Sequence, residues 1–162
     1  MYKVAIITAS DKGYAGERED KSGSVIEEIV TAHELEVTGK IILPDDRQML
    51  SDQMLNYCHQ GIDLILTTGG TGFSKRDVTP EATADIVERR ADNLTFAMIA
   101  NSLQYTPKDM LSRGIAGIRE NSLIVNLPGS PKAVRENLEY AIDAIIHGVK
   151  ILKGDDAECA RK

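Results

Sequence analysis

The feature that most constrains this chain is a recurrence of short, almost unbroken apolar runs, each ending abruptly in Gly, Asp, Ser or Pro. Residues 4–8, 37–43, 62–67 and 122–127 are such runs. Continuous rather than alternating apolar character predicts strands buried on both faces. Between them lie amphipathic stretches. Val25, Ile26, Ile29 and Val30 recur at helical spacing within residues 24–35, and Met49, Leu50, Met54 and Leu55 do so within 49–57. Thr79-Pro80-Glu81 reads as a helix start, with Thr capping, Pro at the first position and Glu facing the dipole, and predicts a helix over 79–90. Further helices are predicted at 94–104, at 108–113 with Gly114 as terminator, and from the Ser130 cap and Pro131 to about residue 152. Residues 10–23, dense in Gly and charge without periodicity, read as a long loop.

Strands alternating with helices predict βαβ units, right-handed crossovers and a mostly parallel sheet covered by helices on both faces. The 162 residues suit a single domain. We expect it to span 1–153, with a polar tail over 154–162. Lys and Arg number 19 against 25 Asp and Glu, a net charge of −6 with no basic run, which argues against a sequence-independent nucleic-acid binder. The two cysteines, Cys58 and Cys159, lack CxxC spacing, so neither a disulfide framework nor a zinc knuckle is expected. The first apolar run is too short for a signal peptide or a membrane span. The expectation is a soluble, cytoplasmic protein. His33, His59 and His147 show no metal-ligand spacing and no obvious carboxylate partner and read as surface or structural residues, and Cys58 as a small buried hydrophobe.

In a parallel sheet, ligands sit beyond the carboxyl ends of the strands. Here those exits are Ser10-Asp11, Pro44-Asp45-Asp46, Thr68-Gly69-Gly70-Thr71-Gly72 and Pro128-Gly129-Ser130-Pro131. Each is compatible with a plain turn, but four together can converge on one crevice. The glycine-rich exit after the third strand is the sharpest signal, because successive N–H groups can point at a phosphate with no Cβ in the way. It matches neither a P-loop nor a dinucleotide fingerprint. Lys75, Arg76 and Asp77 follow it. The cations suit phosphate. A carboxylate beside phosphate calls for Mg²⁺, commonly held by one or two carboxylates plus phosphate oxygens, with Asp45 or Asp46 as the second. Asp77 can equally be a cap or a partner of Arg76. The start of the helix at Ser130 offers a second anion site. Arg113 fits either a helix end or a ligand contact.

The segments TTGGTGFSKRDVTPEAT, LSRGIAG and NLPGSPKAV, with Ser10, Asp11 and the EDKSG stretch at 19–23, resemble the MogA/MoaB family of molybdenum cofactor biosynthesis proteins over nearly the whole chain. The resemblance implies a three-layer α/β/α molybdopterin-binding fold, a homotrimer, and Mg²⁺-dependent transfer of AMP from ATP to the molybdopterin phosphate with release of pyrophosphate. It places the essential, metal-holding carboxylates on Asp45 and Asp77. Nucleotide and phosphate handling falls on Ser10, Asp11, Thr68, Gly69, Gly70, Thr71 and Gly72. Molybdopterin contacts fall on Ser112, Arg113, Pro128, Gly129, Ser130 and Pro131. Where many relatives carry Glu and Arg in an EAMR-like stretch, this chain has Phe96 and Ile99. The competing expectations are a MoaB-type module that holds molybdopterin without catalysis, as partner of a molybdenum insertase, and a nucleotide pyrophosphatase-like hydrolase.

Overall fold

The computed structural model describes residues 1–155; Cys159 and most of the expected tail lie outside the described residues. Six strands form one sheet in the order β2-β1-β3-β6-β5-β4: β1 Lys3–Ala9, β2 Glu36–Leu43, β3 Leu64–Thr68, β4 Arg89–Arg90, β5 Ala116–Arg119 and β6 Ser122–Leu127. The pairs β1·β2, β1·β3 and β3·β6 are parallel, while β5 pairs antiparallel with both β6 and β4. The mostly parallel sheet read from the sequence is therefore present, with an antiparallel margin.

Alternate residues of β1 serve opposite cores, which is why the run reads as continuously apolar. Val4 and Ile6 join Leu64, Leu66 and Val125 beneath helices α2 (Lys21–Ala32), α5 (Asp92–Ser102) and α6 (Pro131–Lys153). Ala5 and Ile7 join Ile65 and Ile124 beneath α3 (Arg47–His59) and α4 (Thr79–Ala84). The result is three layers, helix, sheet and helix. Ser130 caps α6 by accepting from the Ala133 N–H, as expected, and Gly154 ends the helix in the left-handed region.

Several elements differ from expectation. Residues 10–23 are not a structureless loop. Ser10 caps the short helix α1 (Asp11–Tyr14), and Asp20 caps α2, which begins at Lys21. The helix expected over 79–90 stops at Ala84, because residues 88–91 turn to hydrogen-bond the β5 backbone through Glu88 N–H to Ile118 O and Ala91 N–H to Ala116 O. Thr79 is not its cap: Val78 holds that position and supplies no side-chain bond. Pro107–Leu111 is a 3-10 helix, and β5 had no predicted counterpart. His33 and His59 do have carboxylate neighbours, Asp143 at 3.9 Å and Glu120 at 3.6 Å, and both histidines lie outside the cavity described below. Cys58 is buried, as expected.

The chain leaves β1 towards β2 on one side, while β3 lies on the other. The strand order thus reverses between β1 and β3, and a crevice opens at the carboxyl ends of these strands.

Candidate active site

A cavity of about 970 Å³ occupies that crevice. Ser10 and Asp11 reach it from β1, Asp45 from β2, Thr68, Gly69 and Gly70 from β3, and Gly129, Ser130 and Pro131 from β6. All four exits singled out in the sequence therefore converge. Asp77 lines it too, which brings together the two carboxylates expected to meet.

The exits are tied to one another by hydrogen bonds. Asp11 and Asp45 clasp reciprocally: the Asp45 N–H donates to Asp11 Oδ1 at 3.0 Å, and the Asp11 N–H donates to Asp45 Oδ2 at 3.2 Å. Thr68 Oγ1 donates to the Pro128 carbonyl and Ser22 Oγ to the Gly129 carbonyl, both at 2.6 Å. Asp20 accepts from Thr8 Oγ1 and from the Gly23 N–H, joining β1 to the start of α2.

Gly69 and Gly70 have φ of +87° and +69°, conformations that L side chains rarely adopt. A Cβ on Gly69 would collide with the Ala9 carbonyl oxygen; one on Gly70 would collide with Thr79 Oγ1 and press on Asp45 Oδ1 at 3.1 Å. The glycines thus let the loop settle against the carboxylate. Asp45 Oδ1 is buried and accepts no hydrogen bond within the fold, and the buried Thr79 Oγ1 beside it is likewise unpartnered. Burial raises the Asp45 carboxyl above its ordinary pKa, and the negative charges of Asp11 and Asp77 add to the rise, against the hydrogen bond it accepts from the Asp11 N–H and the charge of Arg76. Asp77 accepts from the Ser74 N–H at 3.0 Å. Arg76 grips Asp11 with two bonds of 3.0 and 2.9 Å, and the hydrogen bond from Arg76 holds the Asp11 carboxyl below its usual range.

An unpartnered buried carboxylate oxygen, in a cavity that a second carboxylate also lines, is chemistry that suits a hard divalent cation completed by phosphate oxygens. Among the described residues no cluster of three or more His, Cys, Asp or Glu side chains forms a closed metal cage.

The remaining expected residues lie elsewhere. Thr71, Gly72, Ser112, Arg113 and Pro128 do not line the cavity. Arg113 sits behind the glycine loop, donating to the carbonyls of Gly72 and Asp77 at 2.8 and 2.9 Å and pairing with Glu81. It braces the loop that carries Asp77. Phe96 and Ile99 on α5 are also outside the cavity, and Phe96 is 72% exposed. The sequence pointed to no site role for Lys12, Arg18 or Lys21, which also line the cavity, nor for Thr79. The cue for Arg18 and Lys21 was their place in a charged segment following a strand exit.

Residues 5–147 match the family model described as "Probable molybdopterin binding domain". The chain belongs to this molybdopterin-binding family. Molybdopterin adenylyltransferase of Helicobacter pylori strain J99 is 38% identical over 156 residues, covering 94% of this chain and 88% of that one. Gephyrin of Dictyostelium discoideum is 40% identical over 159 residues, but this chain spans only 22% of its length. Among solved structures, the molybdopterin biosynthesis enzyme MoaB of Thermus thermophilus superposes with a TM-score of 0.90 at 41% identity, covering 95% of this chain and 98% of that one. The MogA/MoaB resemblance read from the motifs is thus confirmed, together with the family fold.

Proposed function

We propose that the protein is a molybdopterin adenylyltransferase, transferring AMP from MgATP to the molybdopterin phosphate with release of pyrophosphate. The single observation that carries this reading is the meeting of Asp45 and Asp77 at the glycine loop, with a buried carboxylate oxygen left unpartnered. Adenylyltransferase is also what the Helicobacter pylori relative is named.

In this reading Asp45 and Asp77 would hold Mg²⁺, which would supply positive charge to offset that of the phosphate oxygens. The N–H groups of the glycine loop orient the ATP phosphates, and those at the start of α6, behind Ser130, receive the anionic end of molybdopterin. A molybdopterin phosphate oxygen attacks the α-phosphorus and the bond to the bridging oxygen breaks. The departing pyrophosphate takes that electron pair, so no side-chain nucleophile is required. Ser10 and Asp11 shape the nucleotide side, with Asp11 fixing the Asp45 backbone through its 3.0 Å bond. Arg113 supports the loop from outside the cavity, its N–H donating to the Thr71 carbonyl and its Nε to that of Gly72.

The apolar replacements Phe96 and Ile99 lie away from the cavity and leave its lining unchanged, so they do not count against catalysis. In this reading the copies form a homotrimer, and the exposed apolar side chains of Phe96, Leu103, Met110 and Leu111 support self-association through this helical region. Light scattering should report three copies. Among the described residues no helix is long and apolar enough to cross a membrane; a cytoplasmic location and delivery of product to a molybdenum insertase complete the reading.

The test is pyrophosphate release from MgATP with and without molybdopterin. Release that depends on molybdopterin is the expected result. Binding without release would establish the module instead, and nucleotide cleavage with no acceptor present would establish the hydrolase.

A further inference from the structure

Arg76 stands out among the cavity's cations. It lines the cavity while its sequence neighbour Lys75 does not, and its guanidinium is committed in fork geometry to Asp11 through Nε to Oδ2 at 3.0 Å and Nη2 to Oδ1 at 2.9 Å. Both partners are open to solvent, the Arg76 side chain 64% exposed and that of Asp11 42%. Exposed pairs of this kind hold weakly. The planar fork that fits a carboxylate fits a phosphate equally well, and a polyphosphate brings several negative charges where Asp11 brings one. Arg76 also stands one residue from Asp77, across from Asp45, and so at the edge of the space where two carboxylates would otherwise repel an anion.

We infer that Arg76 is a phosphate-binding residue parked on Asp11, and that arrival of the ATP polyphosphate moves its guanidinium from the Asp11 carboxylate to phosphate oxygens. This deepens, and rests on, the reading of the cavity as an MgATP site. The exchange costs little, because the surrendered ion pair is solvent-exposed. It does not disturb Asp45, whose N–H keeps the Asp11 Oδ1 acceptor when Arg76 departs. Asp11 therefore has two separable roles: its oxygen fixes the β2 exit, and its charge competes with nucleotide for Arg76.

The separation makes the inference testable by calorimetric titration of the full chain with MgATP, in the absence of molybdopterin and of turnover. R76Q should weaken binding about tenfold, and R76K, which keeps charge but loses the fork, should fall between R76Q and the unaltered protein. D11N keeps an acceptor for the Asp45 N–H but removes the competing charge, so it should tighten binding several-fold. The deciding measurement is the double variant: in the R76Q background D11N should change nothing. Tightening by the same factor with and without Arg76 would show that Asp11 acts only through its general field and would overturn the exchange. R76Q binding as well as the unaltered protein would overturn it too. Absence of MgATP binding by the unaltered protein would instead refute the functional reading on which the inference stands.

Discussion

Replacing Gly70 by alanine tests the geometry of the site through stability alone. Gly70 has φ +69°, and its added Cβ would run into the hydroxyl of fully buried Thr79 and press on Asp45 Oδ1 at 3.1 Å. A left-handed L residue costs about 1–2 kcal/mol. Forcing a methyl into a packed site adds about 1–3 kcal/mol. The sum is about 2–5 kcal/mol, which for a chain of 162 residues lowers Tm by roughly 4–20 °C. Gly16 supplies the control: its φ is +77°, but nothing lies within 4 Å of its added Cβ. G16A should therefore show the backbone cost alone, roughly 2–8 °C. Scanning calorimetry of the two variants separates strain from collision. Equal melting temperatures would refute the claim that the glycine loop is pressed against Thr79 and Asp45.

Asp77→Asn should reduce turnover by about a hundredfold or more while leaving molybdopterin binding within about twofold, since the charge lost is the one that acts during phosphoryl transfer. Equal losses in both would contradict the assignment of pterin to the Ser130 side. Lys153 donates to Asp63 Oδ1 at 2.7 Å, and that hydrogen bond raises the lysine's pKa above its ordinary value. A raised lysine contributes fully below its unfolded pKa of about 10.4 and loses its contribution as pH rises through the folded value. With the lysine 38% exposed the contribution is small, about 0.5 kcal/mol. The stability gap between the unaltered protein and K153M, followed by thermal melting, should be constant from pH 8 to about 10 and close above that; a gap that widens with pH would reverse the sign argued here.

What the sequence made legible was whatever depends on local pattern. The run at residues 122–127 is β6 to the residue, because all six positions are buried and nothing else explains six such residues between turns. The exits were legible for a related reason, since a parallel sheet presents all such loops at one end. Elements set by distant partners were not legible. β5 carries only four residues and includes Gly117, where a side chain would strike Val87 at 2.7 Å, so its pattern is diluted by a packing need elsewhere. β4 is two exposed arginines that look like the end of a helix until β5 offers them a partner. In the site, the carboxylates were legible from their chemistry beside phosphate. The Thr79 hydroxyl was not, because Thr before Pro-Glu has an ordinary local explanation as a cap, and only the fold turns it inward. The partners of Arg113 were not legible for the matching reason: its charge fitted a helix end or a ligand, and tertiary contacts place it on two carbonyls and Glu81.

The margins of the sheet have a consequence for self-association. At one side the last strand is the pair Arg89–Arg90, too short and too charged to template another chain. At the other, β2 presents Glu36 and Lys40 and carries an irregularity opposite Val4 and Ala5 that breaks its ladder. Neither rim invites a foreign strand, so concentrated solutions of folded protein should resist ribbon-like polymerisation, and copies that recognise each other must do so side chain to side chain across helices.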